Sequence, residues 1–339
     1  MKELAHLPAA LQLVPSAPLS TPLLPAPRIT RILVPIDLSR GSSKAISYAM
    51  AISRRLGADV HFIHVVDSTQ YLPPTLLMWP VVSPMEWRVR ASQQLESIAQ
   101  KYSRLGEIEV HAPLEGCAHE EICRAARELE ADLIIIATHG YTGYKRAFLG
   151  STAERVVQFS PCPVLVVRKP YRGVSEPKAR AQEKEFQVGK VLIPVDFSPC
   201  SENALELGTA LARDLGAKVD LIHAVGVPYY PMEDQYTALA TLTLLEESRK
   251  AASREMEEMA ASAHLRDASI QVVEGSPALS ICEYASHEGV DLIIISTHGR
   301  SGLRHAVIGS VAERIVRYAE CPVLVVPARW AALKPLPTP

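Results

Sequence analysis

The sequence repeats itself at a constant spacing of 159 residues, and this internal duplication constrains the fold more than any other feature. The stretch ATHGYTGYKRAFLGST at 137–152 returns as STHGRSGLRHAVIGSV at 296–311. The same shift carries Asp37 to Asp196. A chain of 339 residues is long enough for two domains of ordinary size. We therefore expect two copies of one domain.

Proline and charge patterns set the expected boundaries of the two copies. They predict a Pro-rich leader (1–28), a first repeat (29–169), a polar linker (170–187), a second repeat (188–328) and a tail (329–339). The leader prolines interrupt every apolar run before it could form a signal-peptide core. No run approaches the roughly 18 apolar residues of a membrane span. We therefore expect a cytoplasmic protein.

Each repeat alternates strand-like and helix-like patterns. The helical pattern SSKAISYAMAISRRLG stops at Gly57, a plausible C-cap. Runs as apolar throughout as ADLIIIAT and PVLVV are typical of strands buried on both faces. Such strands alternating with helices predict a doubly wound α/β fold, in which helices cover both faces of a parallel sheet.

Composition argues against several classes of function. A net charge of −2 at pH 7 provides no excess of basic residues to neutralise phosphate backbones or anionic lipids. We therefore expect neither a nucleic acid nor a membrane as a partner. The six cysteines include no Cys-x-x-Cys pair, so we expect reduced thiols, no metal site and no redox motif.

The duplicated stretch starts at the end of an apolar run and finishes at the start of a helix. Its glycines let backbone N–H groups point toward one spot without obstruction by a Cβ. The helix N-terminus adds partial positive charge. Ser151-Thr-Ala-Glu154 has the form of a capping box, and Ser310-Val-Ala-Glu313 repeats it. The stretch therefore predicts either a phosphate site or only a tight loop before a capped helix.

An aspartate ends the first predicted strand of each repeat, Asp37 in VPID and Asp196 in VPVD. Ligands of open α/β sheets sit beyond the carboxyl ends of the strands, where the winding reverses. If the first and fourth strands are neighbours, the aspartate and the glycine loop face one crevice. The carboxylate would then accept hydrogen bonds from ribose hydroxyls, or it would be an Asx-type N-cap of the following helix.

These motifs together resemble the universal stress protein family. The first repeat matches through VPID, HVVD, ATHG followed by nine residues and GS, and AERVVQFSPCPVLVV. The second matches through VPVDFS, IHAV, STHG with nine residues and GS, and AERIVRYAECPVLVV. The resemblance covers both repeats. It implies a tandem protein with two five-stranded parallel sheets, each in the strand order 3-2-1-4-5.

For members that bind ATP, the family motif is Gly-x2-Gly-x9-Gly-Ser/Thr. Its first glycine is replaced here by Ala137 and Ser296. The aspartates of the two repeats would contact ribose, and backbone groups on the second strand would receive adenine. The nucleotide-binding residues that the resemblance implies are Asp37, Val65, Gly140, Gly150, Ser151 and Thr152 in the first repeat, and Asp196, Ala224, Gly299, Gly309, Ser310 and Val311 in the second.

The resemblance also implies partners. ATP or a related adenine nucleotide, alone or with Mg²⁺, is the implied ligand of one or both crevices. The last strands, at 163–167 and 322–326, would pair and join the repeats as an internal pseudo-dimer, which covers otherwise exposed sheet edges. A homodimer of whole chains and an unidentified protein partner are left open.

Three functions remain open at this point. The leading one is a stress-response protein in which ATP occupancy changes conformation or association. A scaffold without nucleotide, acting through the apolar 71–87 surface, is the second; this segment and its counterpart at 227–242 would either cover the crevices as lids or pack against another subunit. A slow ATPase is the third, but the sequence offers no recognisable general base or phosphate lysine, and no catalytic residue is assigned.

Four histidines lie near the predicted crevices. His139 and His298 fall inside the glycine loops, where they would brace the loop or touch a phosphate. His64 and His223 fall on the second strand of each repeat, where we expect satisfied core or rim histidines rather than metal ligands.

Overall fold

The computed structural model describes residues 28–39, 41–66, 84–138, 149–168, 187–226, 235–299, 308–328 and 330. Most of each glycine loop lies outside these residues, as do the leader and most of the linker. In the described part of the chain, each repeat has a parallel sheet with helices on both faces.

In the first repeat, the expected second strand is divided into two short strands. The elements are β1 (Arg31–Pro35), α1 (Ser42–Leu56), β2 (Asp59–Ile63), β3 (Val65–Val66), α2 (Pro84–Tyr102), a 3-10 turn (Ser103–Leu105), β4 (Ile108–Val110), β5 (Leu114–Glu115), α3 (Ala118–Glu128), β6 (Leu133–Ala137), α4 (Ser151–Phe159) and β7 (Val164–Val167). Helix α1 ends at Gly57 with a left-handed φ of 71°, as the glycine C-cap predicts.

The second repeat has the same order with an unbroken second strand. Its elements are β8 (Lys190–Pro194), α5 (Pro199–Leu215), β9 (Lys218–Val225), α6 (Gln235–Ser262), β10 (Ser269–Glu274), α7 (Pro277–His287), β11 (Leu292–Ser296), α8 (Ser310–Tyr318) and β12 (Val323–Val326). Helix α5 starts after Ser198, whose side chain caps it by accepting a hydrogen bond from the Ser201 N–H.

Both repeats contribute to one ten-stranded sheet in the order β10-β9-β8-β11-β12-β7-β6-β1-β2-β4. Within each repeat this is the order 3-2-1-4-5, and the strands pair in parallel. The predicted doubly wound architecture is confirmed. The winding reverses between β1 and β6, and again between β8 and β11, so these pairs mark the two switch points.

The two repeats are joined by antiparallel pairing of their last strands. In β7 and β12, Leu165 pairs with Leu324 and Val164 with Val325, and all four side chains are buried. This pairing covers an edge that each sheet would otherwise expose. The internal association predicted for the last strands is therefore present.

The strands are apolar throughout because both of their faces are covered. In β6, Ile135 packs into the core beneath α1 and α5, whereas Ile134 and Ile136 pack into the core on the opposite face. Such strands lack the alternation of a half-exposed sheet. No helix within the described residues is both long and apolar enough to span a bilayer.

At one contact between a helix and the strand beneath it, the second repeat has a smaller helix residue and a larger strand residue than the first repeat. Gly208 lies inside α5, where an added Cβ would come within 2.6 Å of Ile193 Cδ1 on β8. The equivalent positions in the first repeat hold Ala49 and Val34, both buried. In the second repeat a glycine of the helix thus faces an isoleucine of the strand, whereas the first repeat has an alanine and a valine at these positions.

We predict that Gly208→Ala and Ile193→Val are each destabilising alone but compensate each other. The added methyl overpacks the core, at a typical cost of about 1–3 kcal/mol, which a gain in helix propensity of about 1 kcal/mol partly offsets. Ile193→Val alone should cost about 0.5–1.5 kcal/mol. The double variant should be at least as stable as the parent in urea unfolding. If the losses of unfolding free energy in the two single variants simply add in the double variant, the two side chains do not compete for the same space.

Candidate functional site

The candidate site of each repeat lies at the carboxyl ends of its parallel strands. Asp37 follows β1, and Gly150 follows β6 and precedes α4. Strand β1 pairs directly with β6, so both residues lie at the first switch point. Asp196 and Gly309 occupy the equivalent positions at the second switch point, after β8 and β11.

In the second repeat, the carboxylate and the glycine loop are in direct contact. An ideal Cβ built on Gly299 would lie 2.3 Å from Asp196 Oδ2. Side-chain Cβ atoms essentially never come closer than 3.0 Å to such a neighbour, so only glycine allows this approach. The equivalent glycine of the first repeat, Gly140, lies outside the described residues.

The other oxygen of each carboxylate organises the turn into the next helix. Asp37 Oδ1 accepts hydrogen bonds from the Ser39 N–H, at 3.0 Å, and from Ser42 Oγ. Asp196 Oδ1 accepts from the Ser198 N–H at 3.1 Å and from Ser198 Oγ at 2.6 Å. The aspartates therefore form Asx-type turns. They are not the N-caps, because Gly41 and Ser198 hold those positions.

The residue after each aspartate has an unusual backbone conformation. Leu38 and Phe197 adopt φ values of 60° and 61°, in the left-handed region that bulky residues rarely enter. Such conformations cost about 1–3 kcal/mol and cluster at functional sites. Both repeats have this strained conformation at the same position, directly after the aspartate. The sequence carried no signal for it, since neither residue is a glycine.

The glycine at the start of α4 is the N-cap of that helix, which corrects the predicted capping box. Ser151 is the first helical residue, and the N-cap, being a glycine, offers no side chain to cap the helix. The same is true of Gly309 and Ser310 at α8. The first-turn N–H groups of these helices have no partner within the helix itself and receive no side-chain bond from the N-cap residue.

These N-cap glycines are held tightly against the preceding strand. The Gly150 N–H donates to the Thr138 carbonyl at 2.9 Å, and the Gly309 N–H to the Thr297 carbonyl at 2.7 Å. An added Cβ would lie 3.0 and 3.2 Å from the same two oxygens. The donors that remain for an anion are therefore those of the first helical turn, at Ser151 and Thr152 in α4 and at Ser310 and Val311 in α8.

The residues that replace the first motif glycine fit without strain. Ala137 and Ser296 are the last residues of β6 and β11, and neither has a positive φ. Ser296 Oγ donates to the His298 carbonyl at 2.7 Å, and His298 Nδ1 lies 2.9 Å from Thr297 Oγ1. His298 thus braces its loop, while His139 lies outside the described residues.

Strand alternation directs the backbone of Val65 and Ala224 toward the crevices. The Ile36 N–H donates to the Ile63 carbonyl, and the Val195 N–H to the Ile222 carbonyl. Alternate residues of a strand bond to the same side. The N–H and C=O groups two residues further on, at Val65 and Ala224, therefore face the space beyond the ends of β1 and β8.

The histidines of the second strands hydrogen-bond to the backbone just after the neighbouring first strands, rather than serving as crevice groups. His64 Nδ1 lies 2.7 Å from the Ile36 carbonyl, and His223 Nδ1 lies 2.8 Å from the Val195 carbonyl. Since a carbonyl only accepts, each Nδ1 is the donor. These contacts agree with the prediction of satisfied rim histidines.

Four cysteines occupy two pairs of equivalent positions in the repeats, and their thiols have low reactivity. Burial raises the pKa of Cys162 and of Cys321 to about 12, and that of Cys123 and of Cys282 to about 11. These thiols are therefore protonated at neutral pH and are poor nucleophiles. All six cysteines are free.

Sequence spacing missed two side-chain clusters outside the crevices. Cys117, the N-cap of α3, has its Sγ 3.0 Å from Nδ1 of His119 in the first turn of that helix. On the sheet, His61, Glu109 and His111 come together although their positions are distant in sequence. Of the apolar segments predicted to act as lids or contacts, at 71–87 and 227–242, residues 71–83 and 227–234 lie outside the described residues.

Comparison with known proteins matches both repeats to one family. The model of the universal stress protein family matches residues 28–168 and 187–327. Universal stress protein MJ0531 of Methanocaldococcus jannaschii is 35% identical over 144 residues, which are 41% of this chain and 82% of that protein. A universal stress protein of Mycolicibacterium smegmatis is 24% identical over 311 residues, covering 88% of this chain and 97% of the relative.

A solved structure shows the same fold over most of the chain. The universal stress protein from Archaeoglobus fulgidus superposes with a TM-score of 0.63 at 22% identity, covering 88% of this chain and 97% of that one. The tandem arrangement of two doubly wound domains is thus shared with a solved protein.

Proposed function

This chain belongs to the universal stress protein family, and we propose that it binds an adenine nucleotide, ATP in the first instance, at one or both switch points. The observation that carries the proposal is the contact between Asp196 Oδ2 and Gly299, near the N-terminus of α8, whose N-cap is a glycine. A carboxylate, a glycine loop and free helix donors in one crevice provide acceptors for ribose hydroxyls and donors for phosphate.

The nucleotide would span the crevice from the second strand to the helix. Adenine would meet the backbone at Val65 or Ala224, and ribose hydroxyls would donate to Asp37 or Asp196. The phosphates, alone or with Mg²⁺, would lie at the first turn of α4 or α8, where the helix dipole favours negative charge.

Nucleotide binding would also affect the junction between the repeats, where β7 pairs with β12. The Thr138 N–H donates to the Val167 carbonyl at 3.1 Å, and the Thr297 N–H to the Val326 carbonyl at 2.9 Å. The glycine loops therefore leave the sheet from residues bonded to the two junction strands, β7 and β12. A loop that closes on phosphate would pull on these strands, which supports a role in changing conformation or association.

A second candidate, a protein-binding scaffold, is favoured by exposed apolar residues at equivalent positions. Met85 of α2 and Leu244 of α6 are 69% and 54% exposed. Met85 is the second residue of α2, whereas Leu244 lies in the first half of α6, and both are close to the apolar connections that precede these helices. Exposed apolar surface of this kind marks interaction sites when it is contiguous.

The test is a calorimetric titration of ATP, with and without Mg²⁺, into nucleotide-stripped protein and its Asp37→Asn and Asp196→Asn variants. Asparagine keeps an oxygen for the Asx turn but removes the charge that ribose hydroxyls would meet. Losing a hydrogen bond to a charged group costs about 1.5–3 kcal/mol, which is roughly a 10- to 150-fold rise in Kd.

Asp214→Asn, an exposed change on α5, serves as the matched control and should leave binding unchanged. Loss of one set of sites with one variant would identify the functional crevice. Absence of heat in the parent protein would contradict nucleotide binding and favour the scaffold. Binding with an affinity that neither crevice variant changes would contradict the assignment of the site to these two aspartates.

A further inference from the structure

The first repeat carries a cluster of three metal-ligand residues on the sheet, separate from the crevice. His61 lies in the middle of β2 and is in register with Glu109 of β4. His111 follows β4, and its N–H donates to the Phe62 carbonyl at 3.0 Å. Main-chain pairing therefore fixes the relative positions of all three residues. Val65 lies four residues further along, about 13 Å by strand rise.

The candidate ligand atoms lie close to the spacing of a tetrahedral site, and Glu109 approaches the two histidines through different carboxylate oxygens. His61 Nδ1 lies 3.1 Å from His111 Nε2 and 3.3 Å from Glu109 Oε2, and His111 Nε2 lies 3.7 Å from Glu109 Oε1. Bonds of about 2.0–2.2 Å at tetrahedral angles separate neighbouring ligand atoms by about 3.3–3.6 Å. Small movements would place one ion at bonding distance from all three.

The cluster is buried at one end and open at the other. The exposed fraction of the side chain is 9% for His61 and 64% for Glu109, which gives an ion a path from solvent. Among the described residues, Nε2 of His61 has no hydrogen-bond partner. All polar contacts of this buried ring are therefore made through Nδ1, toward His111 and Glu109. Burial also lowers the pKa of His61, which favours the neutral imidazole that binds metals.

The second repeat has a different buried polar residue at the position equivalent to His61, and this residue has ordinary protein partners. By sheet register, His61, Glu109 and His111 correspond to Asp220, Ser269 and Gln271. Asp220 Oδ2 accepts a hydrogen bond from Tyr284 at 2.9 Å and lies 3.5 Å from Lys190 Nζ. The second repeat thus satisfies its buried polar group with an ordinary hydrogen bond and ion pair.

We propose that the first repeat binds one divalent transition-metal ion, with zinc the best match, through His61 Nδ1, His111 Nε2 and a carboxylate oxygen of Glu109. Two imidazoles and one carboxylate are a common zinc ligand set, and the solvent side leaves the fourth position for water. The ion would tie the outer strand β4 to β2, in this repeat alone.

The test uses the full, tag-free chain after treatment with a chelator, and no nucleotide is present. Zn²⁺ is titrated by calorimetry, and Co²⁺ is titrated by visible absorption, which reports four-coordinate geometry. We expect one equivalent at this site and a rise in melting temperature with Zn²⁺, because binding to the folded state stabilises it.

The variants are His111→Gln and Glu109→Gln, both partly exposed, so that the fold is retained. Each variant should lower the affinity for Zn²⁺ by at least about 100-fold, beyond the 10- to 100-fold loss of affinity that is typical of an outer-shell partner. Glu107→Gln, an exposed change beside the same strand, is the matched control and should bind as the parent does.

The cluster of Cys117, His119 and Glu120 is the competing location, since its ligand atoms are also close together. Cys117→Ser should leave the tetrahedral Co²⁺ spectrum in place. The proposal is overturned if the parent binds no ion. It is equally overturned if binding survives in His111→Gln and Glu109→Gln but disappears in Cys117→Ser.

Discussion

Gly299→Ala should weaken ATP binding in the second repeat by at least about tenfold while leaving the fold intact. The new Cβ would lie 2.3 Å from Asp196 Oδ2, so the carboxylate or the loop must move by most of an ångström. A displaced carboxylate loses charge-assisted hydrogen bonds to ribose, each worth about 1.5–3 kcal/mol. The measurement is calorimetric titration of ATP into nucleotide-stripped protein.

Gly226→Ala provides the matched control, because an added Cβ at Gly226 meets nothing within 4 Å. It makes the same chemical change at the end of β9, near the same crevice, and should bind ATP as the parent does. If Gly299→Ala bound with unchanged affinity in every site, the close approach of Asp196 to the loop would be structural only.

Leu324→Ala should lower the free energy of unfolding by about 2–5 kcal/mol, the usual cost of truncating a buried leucine. Leu324 is 2% exposed and pairs with Leu165 across the antiparallel junction. A cavity of about 380 Å³ already borders both leucines, so the neighbouring side chains have little means to refill the new space. Urea unfolding measures the change.

The same substitution tests whether the repeats unfold together. Because β7 and β12 belong to one continuous sheet, Leu324→Ala should shift a single transition that involves both repeats. Leu244→Ala, at an exposed leucine of α6, is the control and should change stability by less than about 0.5 kcal/mol. A transition that splits, with the first repeat unmoved, would show that the junction does not couple the two halves.

Much of the fold could be predicted from local pattern. The apolar runs of β6 and β11 predicted strands covered on both faces, and Gly57 predicted the end of α1. Predictions for helix starts were weaker. Ser151 and Ser310 fit the capping-box pattern, yet the glycine before each serine is the N-cap. A pattern of residue types does not specify which backbone conformation the preceding loop imposes.

The candidate site was predictable in its composition but not in its geometry. Asp37 and Asp196 were predicted either to contact ribose or to cap the next helix; one oxygen of each carboxylate holds an Asx-type turn without being the N-cap, and contact with ribose stays a prediction. The strain at Leu38 and Phe197 had no sequence signal, because their φ values are imposed by the surrounding packing.

The sequence by itself determined the number of repeats, the order of strands and helices, and the residue types available at each crevice. These follow from periodicity and spacing, which act over a few residues. Only the tertiary structure decided that Asp196 lies against Gly299, that Leu165 of β7 lies opposite Leu324 of β12, and that His61 meets His111. Each of these contacts joins residues far apart in the chain, so it depends on sheet order and register, which local pattern does not specify.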